Sequence, residues 1–119
     1  MNVKEIYENA LALSISRIDE EDSMDFYAVK LFNILLAEIH IYNNQLKLKK
    51  GKPLLDKAII IDKLEGKIDC ENELYAALSY GLAAKLLAAQ EDVNLAALYN
   101  NQYVTMLEAT SPFVEMEVE

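Results

Sequence analysis

A chain of 119 residues has room for one domain and little more. Hydrophobic residues make up 53% and charged residues 26%, a balance that excludes an intrinsically disordered chain. The net charge of −9 argues against a generic nucleic-acid binder. Only 3 Gly and 2 Pro punctuate the sequence, which favours a few long helices over many short strands.

Asn2 followed by Glu5 has the shape of a capping box, with Asn in place of Ser or Thr. Ile6, Ala10 and Leu13 then recur at helical spacing and predict a first helix over 3–17. Asp19, Glu20, Glu21 and Asp22 follow as an acidic run. It lacks the spaced oxygens and the glycine of a calcium loop, so it reads as charge favoured near a helix N-terminus, with Ser23 as cap.

The second helix is predicted over 24–48 and is the longest. Ala28, Leu31, Leu35, Ile39, Tyr42 and Leu46 form one apolar stripe, and Phe32, Leu36 and Ile41 widen it beyond one face. Such a helix is expected to be covered on two sides, within the domain or against another subunit. Glu38 and His40 lie two residues apart, so a Glu-x-x-His metal spacing is absent. Gly51 and Pro53 end the helix.

Between Lys47 and Lys67 seven lysines face Asp56, Asp62 and Glu65, a local charge of +4, while the remainder of the chain carries −13. This stretch is either a solvated loop or a docking segment for an acidic neighbour or phosphate. The β-branched run Ala58–Ile61 is expected to be a short strand or an extended apolar arm.

A third helix is predicted over 70–90 with Asp69 as cap. Ala77, Gly81, Ala84 and Ala88 make a stripe of small side chains, a packing seam in which the helical cost of Gly81, about 1 kcal/mol, is offset by close approach of another backbone. Leu74, Leu78, Leu82 and Leu86 occupy other faces, so this helix is expected at the centre of the bundle. The fourth helix, over 94–109, is capped by Asp92 or Asn94 and buries Leu95, Leu98, Tyr99, Gln102, Tyr103 and Met106. The tail 113–119 alternates apolar and acidic residues. It is either without a partner or a strand added to another chain.

The fold expected is therefore all-α: a four-helix bundle over 1–112 with a long second helix, an extended basic arm between helices 2 and 3, and an extended tail over 113–119. Motifs for chemistry are missing. One histidine and one cysteine must serve every role, and no glycine-rich phosphate loop occurs. A lone Cys70 makes no intramolecular disulfide, and with no secretory signal an intracellular chain is expected. The expectation is a chain with no catalytic residues, no metal, no cofactor, no small-molecule substrate and no membrane span.

The segment from Leu54-Leu55 and Ile59-Ile60-Ile61 into Asp69–Leu74, then Ala77-Leu78-Ser79-Tyr80-Gly81-Leu82-Ala83-Ala84, then a helix bearing Tyr99 and Tyr103, resembles the head–tail connector (adaptor, head-completion) proteins of tailed bacteriophages and prophages. Asp69-Cys70 stands where a proline is common in that family. The resemblance implies a structural virion protein, made in the host cytoplasm and placed at the head–tail junction. It implies a homo-oligomeric ring, typically of about twelve copies in that family, beneath the portal protein. A tail or stopper protein would dock below, and DNA would only pass through the lumen. Expected contacts with subunit or partner are Lys47, Lys49, Lys50, Lys52, Ile59, Ile60, Ile61, Phe113, Val114, Met116 and Val118. The rival readings are a small acidic regulatory or inhibitor protein acting by protein binding or DNA mimicry, and a di-metal carboxylate bundle enzyme.

Overall fold

The computed structural model describes residues 1–14 and 22–110. Four helices follow one another: α1 Val3–Leu13, α2 Asp22–Lys49, α3 Tyr75–Ala89 and α4 Val93–Thr110, with a single 3-10 turn at Asn72–Leu74 leading into α3. Among the described residues no strand forms; the one bridge pairs Asn2 with Lys67. The all-α bundle expected from periodicity is what the chain adopts.

The helix ends follow local chemistry. The Asn2 side chain accepts the Glu5 N–H at 3.2 Å, the first half of the expected capping box. α1 then stops at Leu13, a turn earlier than predicted. α2 ends in a Schellman motif: Gly51 takes φ 70°, its N–H donates to Leu48 C=O, and Lys52 N–H donates to Lys47 C=O. Ser23 lies inside α2 and not ahead of it. The carboxylate run 19–21 and the tail 113–119 lie outside the described residues.

α3 ends the same way. Glu91 N–H donates to Ala88 C=O and Asp92 N–H to Leu87 C=O, but the left-handed position, φ 64°, is held by Glu91. Asp92 then caps α4, accepting the Leu95 N–H at 3.4 Å. The expected cap Asp69 does not cap α3: its carboxylate bonds Lys47.

α3 is the central helix. Ala77, Leu78, Ser79, Gly81, Leu82, Ala83, Ala84, Leu86 and Leu87 are all buried, so every face of it meets protein. Val3, Ile6 and Ala10 of α1, Phe32, Leu35, Leu36 and Ile39 of α2, and Tyr103 and Leu107 of α4 complete the core. Each fully buried Leu or Phe contributes about 1.5–3 kcal/mol. The seam ends early, because Ala88 is exposed. At Gly81 the close approach comes from side chains: a Cβ would meet Leu35 Cδ1 at 2.7 Å and Tyr103 Cδ1 at 2.8 Å. On α4, Leu98 and Gln102 face outward; the buried arc runs through Ala96, Tyr103 and Leu107, flanked by half-buried Leu95, Tyr99 and Met106.

Candidate interaction surfaces

The segment between α2 and the 3-10 turn contains no regular element, and it lies on its own helices. Three asparagines of α2 hold it. Asn33 accepts the Ile61 N–H at 2.8 Å and donates to Ile61 C=O at 2.9 Å. Asn44 does the same for Leu55, at 2.9 Å both ways. Asn43, itself buried, accepts the Glu71 N–H at 2.9 Å and donates to Asp69 C=O at 3.1 Å. Each amide presents one donor and one acceptor, so it satisfies the backbone as a neighbouring strand would. The run Ala58–Ile61 therefore needs no sheet. Ile59 and Ile61 turn toward the core, and Ile60 stands 79% exposed.

The basic stretch is largely neutralised within the chain. The Glu71 carboxylate, 3% exposed, accepts from Lys47 at 3.1 Å, Lys50 at 3.0 Å and Lys52 at 2.9 Å. Lys47, only 2% exposed, also reaches Asp69 at 2.6 Å, and Lys50 reaches Glu73 at 2.6 Å. Burial alone would raise the Glu71 carboxyl, yet three lysine hydrogen bonds hold it down at about 2. Burial likewise opposes the charge on Lys47, and the hydrogen bonds from Asp69 and Glu71 override it, leaving the amine above its ordinary value. Of the four lysines expected to meet a partner, Lys47 is therefore buried, Lys50 and Lys52 are paired internally, and Lys49 is exposed. The sequence signal for this cluster sits just past the basic stretch, in Asp69, Glu71 and Glu73 at alternate positions. Phe113, Val114, Met116 and Val118 lie outside the described residues.

A second polar centre links α2, α3 and α4. Glu38 accepts the Tyr103 hydroxyl at 2.9 Å and pairs with Lys85 at 2.9 Å. Burial, with the Glu38 charge beside it, pushes the Tyr103 phenol far above its ordinary value. The Cys70 thiol, buried and next to Glu71, is pushed up to about 12, the opposite of what a nucleophile needs. Among the described residues no group of three or more His, Cys, Asp or Glu is placed to hold a metal ion.

Two of the surface grooves border the helices of the bundle. One, of about 360 Å³, lies between α1 and α3. Its polar atoms satisfy each other: Asn9 donates to the Tyr75 hydroxyl at 2.8 Å and to Ser79 at 3.3 Å. The other, of about 600 Å³, runs between the start of α2 and Ile60–Leu64.

Among the described residues, the outer side of α2 is an uncovered apolar ridge. Ala28, Phe32, Leu35, Leu36, Ile39 and Leu46 are buried inward. Opposite them stand Tyr27 (59% exposed), Ile34 (52%), Ile41 (60%) and Leu48 (58%), each seven residues from the last. The doubly apolar helix expected from sequence is thus covered on one side within this chain. α2 is about 42 Å long at 1.5 Å per residue, and the molecule's longest dimension is 44 Å. Among the described residues no helix is long and apolar enough to cross a membrane. Comparison with family models, with curated proteins and with solved structures finds no match.

Proposed function

We propose that this chain is a structural assembly subunit that works by protein contact, and that its place is the head–tail junction of a tailed phage, as a ring-forming connector beneath the portal. The observation that carries the reading is the outer ridge of α2. Large apolar side chains seven residues apart line up along one side of a helix, where another protein surface can cover them. Left in water, four such side chains are a solubility liability with no benefit to the fold. The connector identity rests on the resemblance of residues 53–107, and the ridge fits it because a ring subunit must present apolar surface to its neighbours.

The acidic-mimic reading is weaker. It calls for carboxylates set in open rows, whereas Asp69, Glu71 and Glu73 are occupied by lysines. Light scattering on the purified chain from micromolar to millimolar concentration tests the proposal, with negative-stain images of the same samples. The expected result is a mass that climbs to a fixed multiple of 13.5 kDa and ring-shaped particles. A monomer mass throughout the range refutes it.

A further inference from the structure

The uncovered ridge of α2 has a counterpart on the same molecule. α4 carries no charged residue from Val93 through Leu107, although 26% of the chain is charged. Its outer side presents Val93 (70% exposed), Val104 (41%), Leu98 (61%) and the exposed Ala97 and Asn101. α2 is similarly bare over Leu31–Leu46, where Glu38 is the only acidic or basic residue besides His40, and Glu38 is already engaged by Lys85 and Tyr103. Depletion of charge, more than bulk hydrophobicity, marks the centre of a protein interface.

We propose that the outer ridge of α2 docks on the outer face of α4 of a second copy. This inference rests on the reading of the chain as an assembly subunit and names the contact.

Three features fit the two faces together. The first is length: the ridge from Tyr27 to Leu48 spans about 32 Å and the 18 residues of α4 about 27 Å. The second is charge at the ends. α4 is flanked by Glu91 at its start and Glu108 near its end, and α2 carries Lys49 at its end and Lys30 near its start, all four exposed. Opposite signs therefore meet at both ends whichever way the two helices run. The third is area. At these exposures the four ridge side chains present roughly 400 Å². A standard interface takes about 800 Å² from each partner, a little over half of it apolar. The ridge thus supplies the apolar share on the α2 side.

The contact is heterologous, because the surface given differs from the surface received. After each contact one copy keeps its α4 face free and the other its α2 ridge, so copies add until rotation closes a ring. A pair of α2 ridges would instead stop at a dimer.

Ile41→Glu and Ala97→Glu, made separately in the full chain, test this. Both positions are exposed, so helicity by circular dichroism should match wild type. Light scattering should find each variant monomeric at concentrations where wild type assembles. A 1:1 mixture should then form dimers and stop there, since the intact α4 of one variant fits the intact α2 of the other. If Ala97→Glu assembles like wild type while Ile41→Glu does not, or if the mixture stays monomeric, the α2–α4 pairing is wrong and the assembly reading survives. If wild type is itself monomeric up to about 1 mM, both fall. A short bismaleimide reads the contact directly: with Ala97→Cys, crosslinks to Ile41→Cys mark an antiparallel pair and crosslinks to Ile34→Cys a parallel one, and no crosslink to either overturns the docking. The buried Cys70 does not compete.

Discussion

Gly81→Ala sets two magnitudes against each other. Helix propensity alone favours alanine by about 1 kcal/mol in a helix interior. Packing opposes it, because the new methyl would lie 2.7 Å from Leu35 Cδ1 and 2.8 and 3.0 Å from two ring carbons of Tyr103. Leu35 can turn its methyl aside at small cost. Tyr103 cannot follow easily: its ring is buried and its hydroxyl is tied to Glu38 at 2.9 Å. Overpacking of this kind costs about 1–3 kcal/mol, so the net effect should be a loss of roughly 1 kcal/mol, or a few degrees in Tm for a chain this size. Gly81→Leu should lose several times more. Chemical denaturation of Gly81→Ala, Leu35→Ala and the double variant supplies the test. Leu35→Ala removes one of the two obstacles, so the double variant should be more stable than the sum of the single losses. Should Gly81→Ala prove as stable as wild type or better, the seam is loose and the reasoning from close approach fails.

Glu71 is held at about 2 against an ordinary value near 4.5, so the folded state favours its ionised form. Its contribution is complete above pH 4.5 and is lost as pH falls toward 2; a shift of this size corresponds to about 3 kcal/mol. Glu71→Gln should lower stability near neutral pH by about that amount and flatten acid unfolding between pH 4.5 and 2, and an unchanged acid limb would refute the assignment. Glu91 occupies a left-handed position that favours glycine, so Glu91→Gly should raise stability by about 0.5–1 kcal/mol in urea melts, where the same change at an ordinary helical site would lower it. Asn43→Ala leaves the Glu71 N–H and the Asp69 C=O without their amide partner, and a loss of about 2–3 kcal/mol is expected; a loss under 0.5 kcal/mol would show that the staple carries no weight.

The four helices were legible because apolar spacing is a short-range signal and the end signals, Gly51 after α2 and Asp92 before α4, act within one turn. The centrality of α3 was legible for a related reason, since a helix apolar on every face has nowhere to go but inside. The loop was not legible. Asn43 and Asn44 read as poor helix formers, and nothing local reveals that their amides face a segment up to 28 residues away. The basic stretch misled through the choice of window, because its counter-charges begin at Asp69, two residues beyond its end. A further error came from counting residues at helical spacing without direction: Leu98 and Gln102 follow the spacing of the buried arc of α4 but are exposed. The candidate interface was half legible, since α2 read as apolar on two sides, but which side stays open depends on where α3 packs.

The position of α3 also sets an order of events. α3 and α4 are joined by three residues, so their contacts close a very short loop and can form early. α1 meets α3 only across a long stretch of chain, through bonds such as Asn9 to Tyr75 and Asn9 to Ser79, 66 and 70 residues apart. The hairpin of α3 and α4 is thus expected to form first, with α1 docking on it later. In native-state hydrogen exchange the amides of α3 should open only with global unfolding, while those of α1 exchange through a smaller, local opening that leaves the hairpin standing.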